Sequence, residues 1–120
     1  DNVVALGAYA GYYTTGSSNT FVGKQAGYGG TTSAPFSSGE NNTALGYQAL
    51  VGFTTATRMV AIGHESMHNV TTGEESIAIG YQAAYYNSGS NSVSIGSYAG
   101  MSSGGGSNVS IGFRAGTFTY

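Results

Sequence analysis

Ile77-Ala78-Ile79-Gly80-Tyr81-Gln82-Ala83 decides the fold. Two aliphatic residues flank a small one, a glycine follows, and a small residue returns three positions later. Downstream the pattern recurs as Val93-Ser94-Ile95-Gly96 with Ala99 and as Val109-Ser110-Ile111-Gly112 with Ala115. Upstream it reads Val60-Ala61-Ile62-Gly63 with Ser66, Thr43-Ala44-Leu45-Gly46 with Ala49, Thr20-Phe21-Val22-Gly23 with Ala26, and Val4-Ala5-Leu6-Gly7 with Ala10. Internal repetition of this kind outranks every other sequence signal. Glycines 7, 23, 46, 63, 80, 96 and 112 lie 16, 23, 17, 17, 16 and 16 positions apart. One insertion therefore falls within Tyr28 to Asn41, and it holds the only proline, Pro35. The whole chain, 1–120, reads as a single repeat domain.

Aligned on their glycines, the copies form columns. Leu6, Val22, Leu45, Ile62, Ile79, Ile95 and Ile111 stand one position before the glycine, and β-branched residues stand three before it. Period-two alternation of such residues is a strand signal. Ala10, Ala26, Ala49, Ser66, Ala83, Ala99 and Ala115 stand three after it, a column that admits only small side chains. Helix is excluded by 21 glycines, each costing about 1 kcal/mol in a helix interior. The pattern predicts an all-β fold: a parallel β-solenoid, or β-roll, of about seven coils of 16–17 residues. Each coil is expected to carry two short strands and two turns, and seven coils stacked about 4.8 Å apart give a rod of roughly 30 Å.

In this reading the aliphatic pair fills the lumen and the small strand centre faces outward onto a partner; the opposite assignment stays open. The one-before column and the alanine column are both assigned to packing, either in the core or between chains. Both faces of the strands lack charge, whereas a strand wetted on one side alternates apolar with polar. Burial on both sides, and so association of identical chains into a homotrimer, is the expectation.

Composition excludes several classes. Three Lys+Arg against five Asp+Glu leave a net charge of -2, too few cations for a nucleic-acid groove. The absence of cysteine removes disulfide and thiol chemistry. No apolar run approaches the roughly 20 residues of a membrane span, so membrane insertion is not expected. No signal-like segment opens the chain at Asp1, which reads as a piece excised from something longer.

Asn91-Ser92-Val93-Ser94-Ile95-Gly96 and Ser76-Ile77-Ala78-Ile79-Gly80 resemble the head repeats of trimeric autotransporter adhesins of the YadA-like type. Asn42-Thr43-Ala44-Leu45-Gly46-Tyr47-Gln48-Ala49-Leu50 is also similar to repeats in phage tail fibres and related bacterial surface fibres. The adhesin resemblance implies a homotrimer of left-handed parallel β-rolls that binds a host or prey cell-surface glycan or protein. It implies an extracellular place, on a bacterial surface or a virion tail fibre. The repeat here is somewhat longer than the family's. A passive spacer within such a fibre is the alternative function, and an ice-binding solenoid a further one. The last rests on aligned Thr14-Thr15, Thr54-Thr55 and Thr71-Thr72, a row broken at Ser37-Ser38 and Asn87-Ser88.

No catalytic, cofactor or metal constellation is expected, and the chain is read as a non-enzyme. His64-Glu65-Ser66-Met67-His68 matches the HExxH zinc pattern letter for letter, but that chemistry needs a helix to bring both imidazoles to one face. Here the segment falls in repeat register, and in an extended chain the two histidines would stand about 13 Å apart. The acids are Asp1, Glu40, Glu65, Glu74 and Glu75, with no pair placed across a cleft. Tyrosines instead fall into register, Tyr47 and Tyr81 in one column, Tyr12, Tyr28 and Tyr85 in another, Tyr9 and Tyr98 in a third. Stacked coils turn such columns into aromatic ladders, suited to cross-coil packing or to contact with a partner. The insertion is the expected seat of specificity. The candidate ligand-binding residues are Tyr28, Phe36, Glu40, Tyr47, Tyr81 and Tyr85.

Overall fold

The computed structural model describes residues 2–117. Seven three-residue strands lie in chain order in one sheet: β1 (Val4–Leu6), β2 (Thr20–Val22), β3 (Thr43–Leu45), β4 (Val60–Ile62), β5 (Ile77–Ile79), β6 (Val93–Ile95) and β7 (Val109–Ile111). Every neighbouring pair is parallel and in column register, Ala44 opposite Ala61 and Ala61 opposite Ala78. The chain is a β-solenoid of about seven turns, with a longest dimension of 35 Å.

Each coil carries one strand rather than the expected two; the remainder is turn. Two isolated parallel bridges, Thr14 with Ser37 and Thr57 with Glu74, are the only further ladder fragments among the described residues. Left-handed backbone bends the rest of the coil. Tyr9, Gln25, Gln48, Glu65, Gln82, Tyr98 and Arg114, two positions after each anchoring glycine, all have φ of 52–60°. Five positions before the glycine, Ser18, Asn41, Arg58, Glu75, Asn91 and Ser107 have φ of 56–62°. A non-glycine residue there costs about 1–2 kcal/mol. From the second coil on, the bends persist because their amides pair with the preceding coil, as in Gln48 N–H to Lys24 C=O (3.0 Å) and Arg58 N–H to Glu40 C=O (3.0 Å).

The anchoring glycine is required by close approach. At Gly63 (φ +126°) a Cβ would stand 2.6 Å from the carbonyl oxygen of Gly80, and the other anchors meet the next one in the same way until the last coil. No side chain fits that backbone-to-backbone contact.

The lumen is lined by the reverse of the expected face. Strand centres point inward: Phe21, Ala44, Ala61 and Ala78 are fully buried, and Ser94 nearly so. The flanking aliphatics point outward, with exposures of 67% at Leu6, 45% at Leu45 and 37% at Ile79. Volume explains the reversal. The alanine column, the residue after it and the residue just before each strand already occupy the lumen, leaving room for only a small strand centre except at Phe21, where the turn supplies Gly27. Ala26, Ala49, Ala83 and Ala99 are fully buried there, so that column belongs to the core.

Bulky apolar groups gather between β2 and the turn after β4, as Phe21, Leu50, Phe53, Met59, Met67 and Val70. Toward β7 the lumen turns polar, with Ser92, Ser94, Ser103 and Ser110 inside. Polar groups within it are bonded. Asn19 Nδ2 donates to the carbonyls of Gly16 and Gly39 (3.1 and 2.9 Å), and Asn19 Oδ1 accepts from Asn42 N–H (2.9 Å). Asn42 repeats the pattern one coil on, donating to the Ala56 carbonyl (2.8 Å) and accepting from Met59 N–H (3.0 Å). The strand-opening asparagines thus form an internal ladder, and no buried side-chain polar atom among the described residues lacks a partner.

Candidate binding site

Parallel stacking converts the tyrosine columns into ring ladders on the outside of the coil. In the column directly after the anchoring glycine, Tyr47 and His64 lie 4.9 Å apart and His64 and Tyr81 5.2 Å. Tyr98 continues the row edge-on to Tyr81 at 5.2 Å, and Phe113 closes it at 6.1 Å. Four positions further on stands a second ladder. Tyr12 and Tyr28 are near-parallel at 5.9 Å, Val51 interrupts, and His68 stacks on Tyr85 at 4.7 Å. Amides join the coils between the ladders. Gln48 Nε2 donates to Gln25 Oε1 (2.8 Å), Gln82 Nε2 to Glu65 Oε2 (2.6 Å), and Gln48 Oε1 faces His68 Nε2 at 3.1 Å.

The 64–68 segment is turn, without helix. His64 belongs to one ladder and His68 to the other, while Ser66 points into the lumen and donates to the Ala78 carbonyl (3.0 Å). Among the described residues no three His, Cys, Asp or Glu side chains converge as a metal site. Glu74 and Glu75 both pair with Arg58, at 2.8 and 2.9 Å, on the open surface. Asp1 lies outside the described residues.

The insertion builds a cleft. Residues 31–36 bulge outward, and Ser37 returns to the lumen, where its hydroxyl donates to the Phe53 carbonyl (2.8 Å). The return is locked by Ser37 N–H to Tyr13 C=O (3.0 Å) and Thr15 N–H to Ser37 C=O (2.8 Å). This fold-back lays Phe36 against Tyr13, ring centroids 5.9 Å apart and planes within 20°. Tyr12, Tyr13, Thr14, Thr15 and Phe36 then enclose a cleft of about 240 Å³. Tyr13 meets Tyr28 edge-on at 5.2 Å, and Tyr9 meets Tyr12 at 5.3 Å.

Three phenols are held above their ordinary range. Tyr28 is raised first by desolvation and then by its hydrogen bond with Tyr13. Desolvation also raises Tyr81, followed by the neighbouring Tyr98, and raises Tyr85, followed by the nearby Glu65. These rings stay neutral at physiological pH and present both hydroxyl donors and apolar faces.

Of the candidate residues, Tyr28 and Phe36 come together around Tyr13, and Tyr47 and Tyr81 through His64. Tyr85 sits on the second ladder. Glu40 is apart from the rings, its carboxylate accepting from the Ser17 hydroxyl (3.3 Å). Tyr9, Tyr12 and Tyr13 were not among the candidates, although two of them stand in the aromatic columns. The missing signal is the return path of the insertion, which carries no periodicity. No family model, curated protein or solved structure matches this chain.

Proposed function

We propose that the chain is the adhesive module of a homotrimeric surface fibre, binding a partner surface through its aromatic rows and performing no chemistry. One observation carries the assembly: the outward face of the seven-stranded sheet is uncharged from end to end and mostly aliphatic. Val4 and Leu6, Val60 and Ile62, Ile77 and Ile79, Val93 and Ile95, and Val109 and Ile111 make a continuous stripe, with Thr20 and Thr43 its only polar members. Its footprint is about 30 by 10 Å, in the range of the largest apolar patch on a typical monomer, which is often functional. Parallel sheets are ordinarily covered on both faces. Three copies related by one axis cover three such stripes together and form a closed assembly with no free face.

Adhesion is supported by the aromatic rows, which lie beyond the turn that leaves the sheet. A trimer multiplies each weak contact by avidity. The resemblance of the repeats to adhesin heads and tail-fibre segments points the same way and implies a cell-surface location.

Light scattering on the purified chain tests the assembly: the expected mass is three times 12.1 kDa, and a monomer at tens of micromolar overturns it. Saturable binding of the labelled chain to intact cells tests adhesion. Binding that does not saturate makes the chain a spacer instead, and saturable binding that survives deletion of residues 31–36 moves the contact from the insertion to the ring ladders.

A further inference from the structure

We infer that the cleft between the first coil and the insertion is a subsite for a neutral pyranose of a surface oligosaccharide. The inference deepens the adhesive reading and rests on it. Geometry makes the first part of the case. Tyr12 and Tyr28 are parallel within 9° and Tyr13 and Phe36 within 20°, while Tyr13 stands at 86° to Tyr12 and 89° to Tyr28. The rings therefore form two stacked pairs set at about a right angle, and Tyr12, Tyr13 and Phe36 of these line the cleft. A pyranose has an apolar C–H face and a hydroxylated rim, and it can lay that face on one of these rings while its rim addresses the others.

Polar chemistry makes the second part. Thr14 and Thr15 sit in the cleft with their hydroxyls donating to the Gly27 and Ser37 carbonyls (3.2 and 3.3 Å). Each hydroxyl's lone pairs stay available to accept from a sugar hydroxyl. No acidic or basic side chain lines the cleft. Nothing there would neutralise a sulfate or carboxylate, and no carboxylate supports a cation.

Size makes the third. The volume of about 240 Å³ is below the roughly 300 Å³ at which drug-sized pockets begin. It suits one or two sugar rings rather than a folded peptide. Tyr12 is 58% exposed, which leaves the cleft open to an internal residue of a longer glycan. Such a site is weak alone and gains strength from repetition around a trimer.

Saturation-transfer NMR on the whole chain, with oligomers of glucose, galactose and N-acetylglucosamine as separate probes, tests the site. Transfer to the ring protons of at least one neutral oligomer is expected. Tyr12→Ala and Phe36→Ala should each weaken it at least tenfold, and Glu74→Gln, three coils away along the stack, should leave it unchanged. Circular dichroism and mass are read on every sample. A folded chain that shows no transfer from any neutral oligomer overturns the inference. So does binding of tetramethylammonium or of sulfated oligomers alone, or binding lost with Tyr81→Ala and kept with Tyr12→Ala. A trimer without sugar binding removes this site and leaves the assembly standing; a sugar-binding monomer does the reverse.

Discussion

The ring of Phe21 lies so close to Gly27 that a Cβ added to the glycine would stand 2.3 Å from Cδ1 and Cε1. One coil on, the equivalent positions are Ala44 and Leu50, and two coils on they are Ala61 and Met67. The second, third and fourth coils each fill one lumen volume from either the strand or the turn. Leu50 is left-handed at φ 53°, close to the 55° of Gly27, so the backbone at that position accepts a side chain. Gly27→Leu alone is expected to cost about 3 kcal/mol by overpacking, and Phe21→Ala alone about 3–5 kcal/mol by leaving a cavity. The double variant restores the arrangement of the next coil and should lie within about 1.5 kcal/mol of the parent. Denaturant unfolding of the four proteins reads the coupling; additive costs would mean the two positions do not share space.

How far the sequence reveals the fold follows from the same pair. Glycine spacing gives coil number, register and strand position, because only glycine tolerates the contact of Gly63 with Gly80. It does not give the face. Hydrophobicity places Ile77 and Ile79 inside, but the lumen is ruled by volume, and Ala78 is what fits. The left-handed corners at Gln25 or Arg114 are invisible to residue-type reasoning, since coil-to-coil hydrogen bonds from their amides (2.8 and 3.0 Å) impose them on any side chain. The ladders through Tyr47, His64 and Tyr81 are legible from register. The cleft is not, because Phe36 reaches Tyr13 through an aperiodic bulge.

The asparagine ladder predicts a position-dependent cost. Asn42 is buried and serves the Ala56 carbonyl and the Met59 amide, so Asn42→Leu strands two buried backbone groups. The expected loss is about 3 kcal/mol. Asn108 occupies the same column near the last coil, where its amide donates to the Gly104 and Gly105 carbonyls (3.3 and 3.2 Å) at the surface. Water can replace it there, and Asn108→Leu should cost under about 1 kcal/mol. Equal midpoint shifts in urea would contradict the ladder.

Alkaline pH should loosen the coil. Tyr28, Tyr81 and Tyr85 all have folded pKa values above the model-peptide 10.0. The folded chain therefore holds these protons more tightly than the unfolded chain. Their contribution is fully present below about pH 10 and falls as pH rises through the folded values. Thermal midpoints should be flat from pH 7 to 9 and drop above 10. Replacing all three with Phe should shrink that drop, and an unchanged slope would assign it to other groups.

The outward and inward faces of β5 make opposite predictions for neighbouring residues. Ile79 is 37% exposed on the outer stripe, whereas Ala78 is fully buried in the lumen. A lysine at Ile79 keeps its ammonium in water in a single chain, so the isolated coil should retain its dichroism and lose less than about 1 kcal/mol. In a trimer the same lysine brings three like charges to the covered stripe, where they are desolvated without partners. Ile79→Lys should therefore turn a trimer of three times 12.1 kDa into folded monomers. Ala78→Lys meets the lumen directly and should unfold the coil at any concentration. If Ile79→Lys leaves the mass unchanged, the stripe is not the covered face. If it unfolds the chain as Ala78→Lys does, coil and assembly form together and the stripe supplies part of the core.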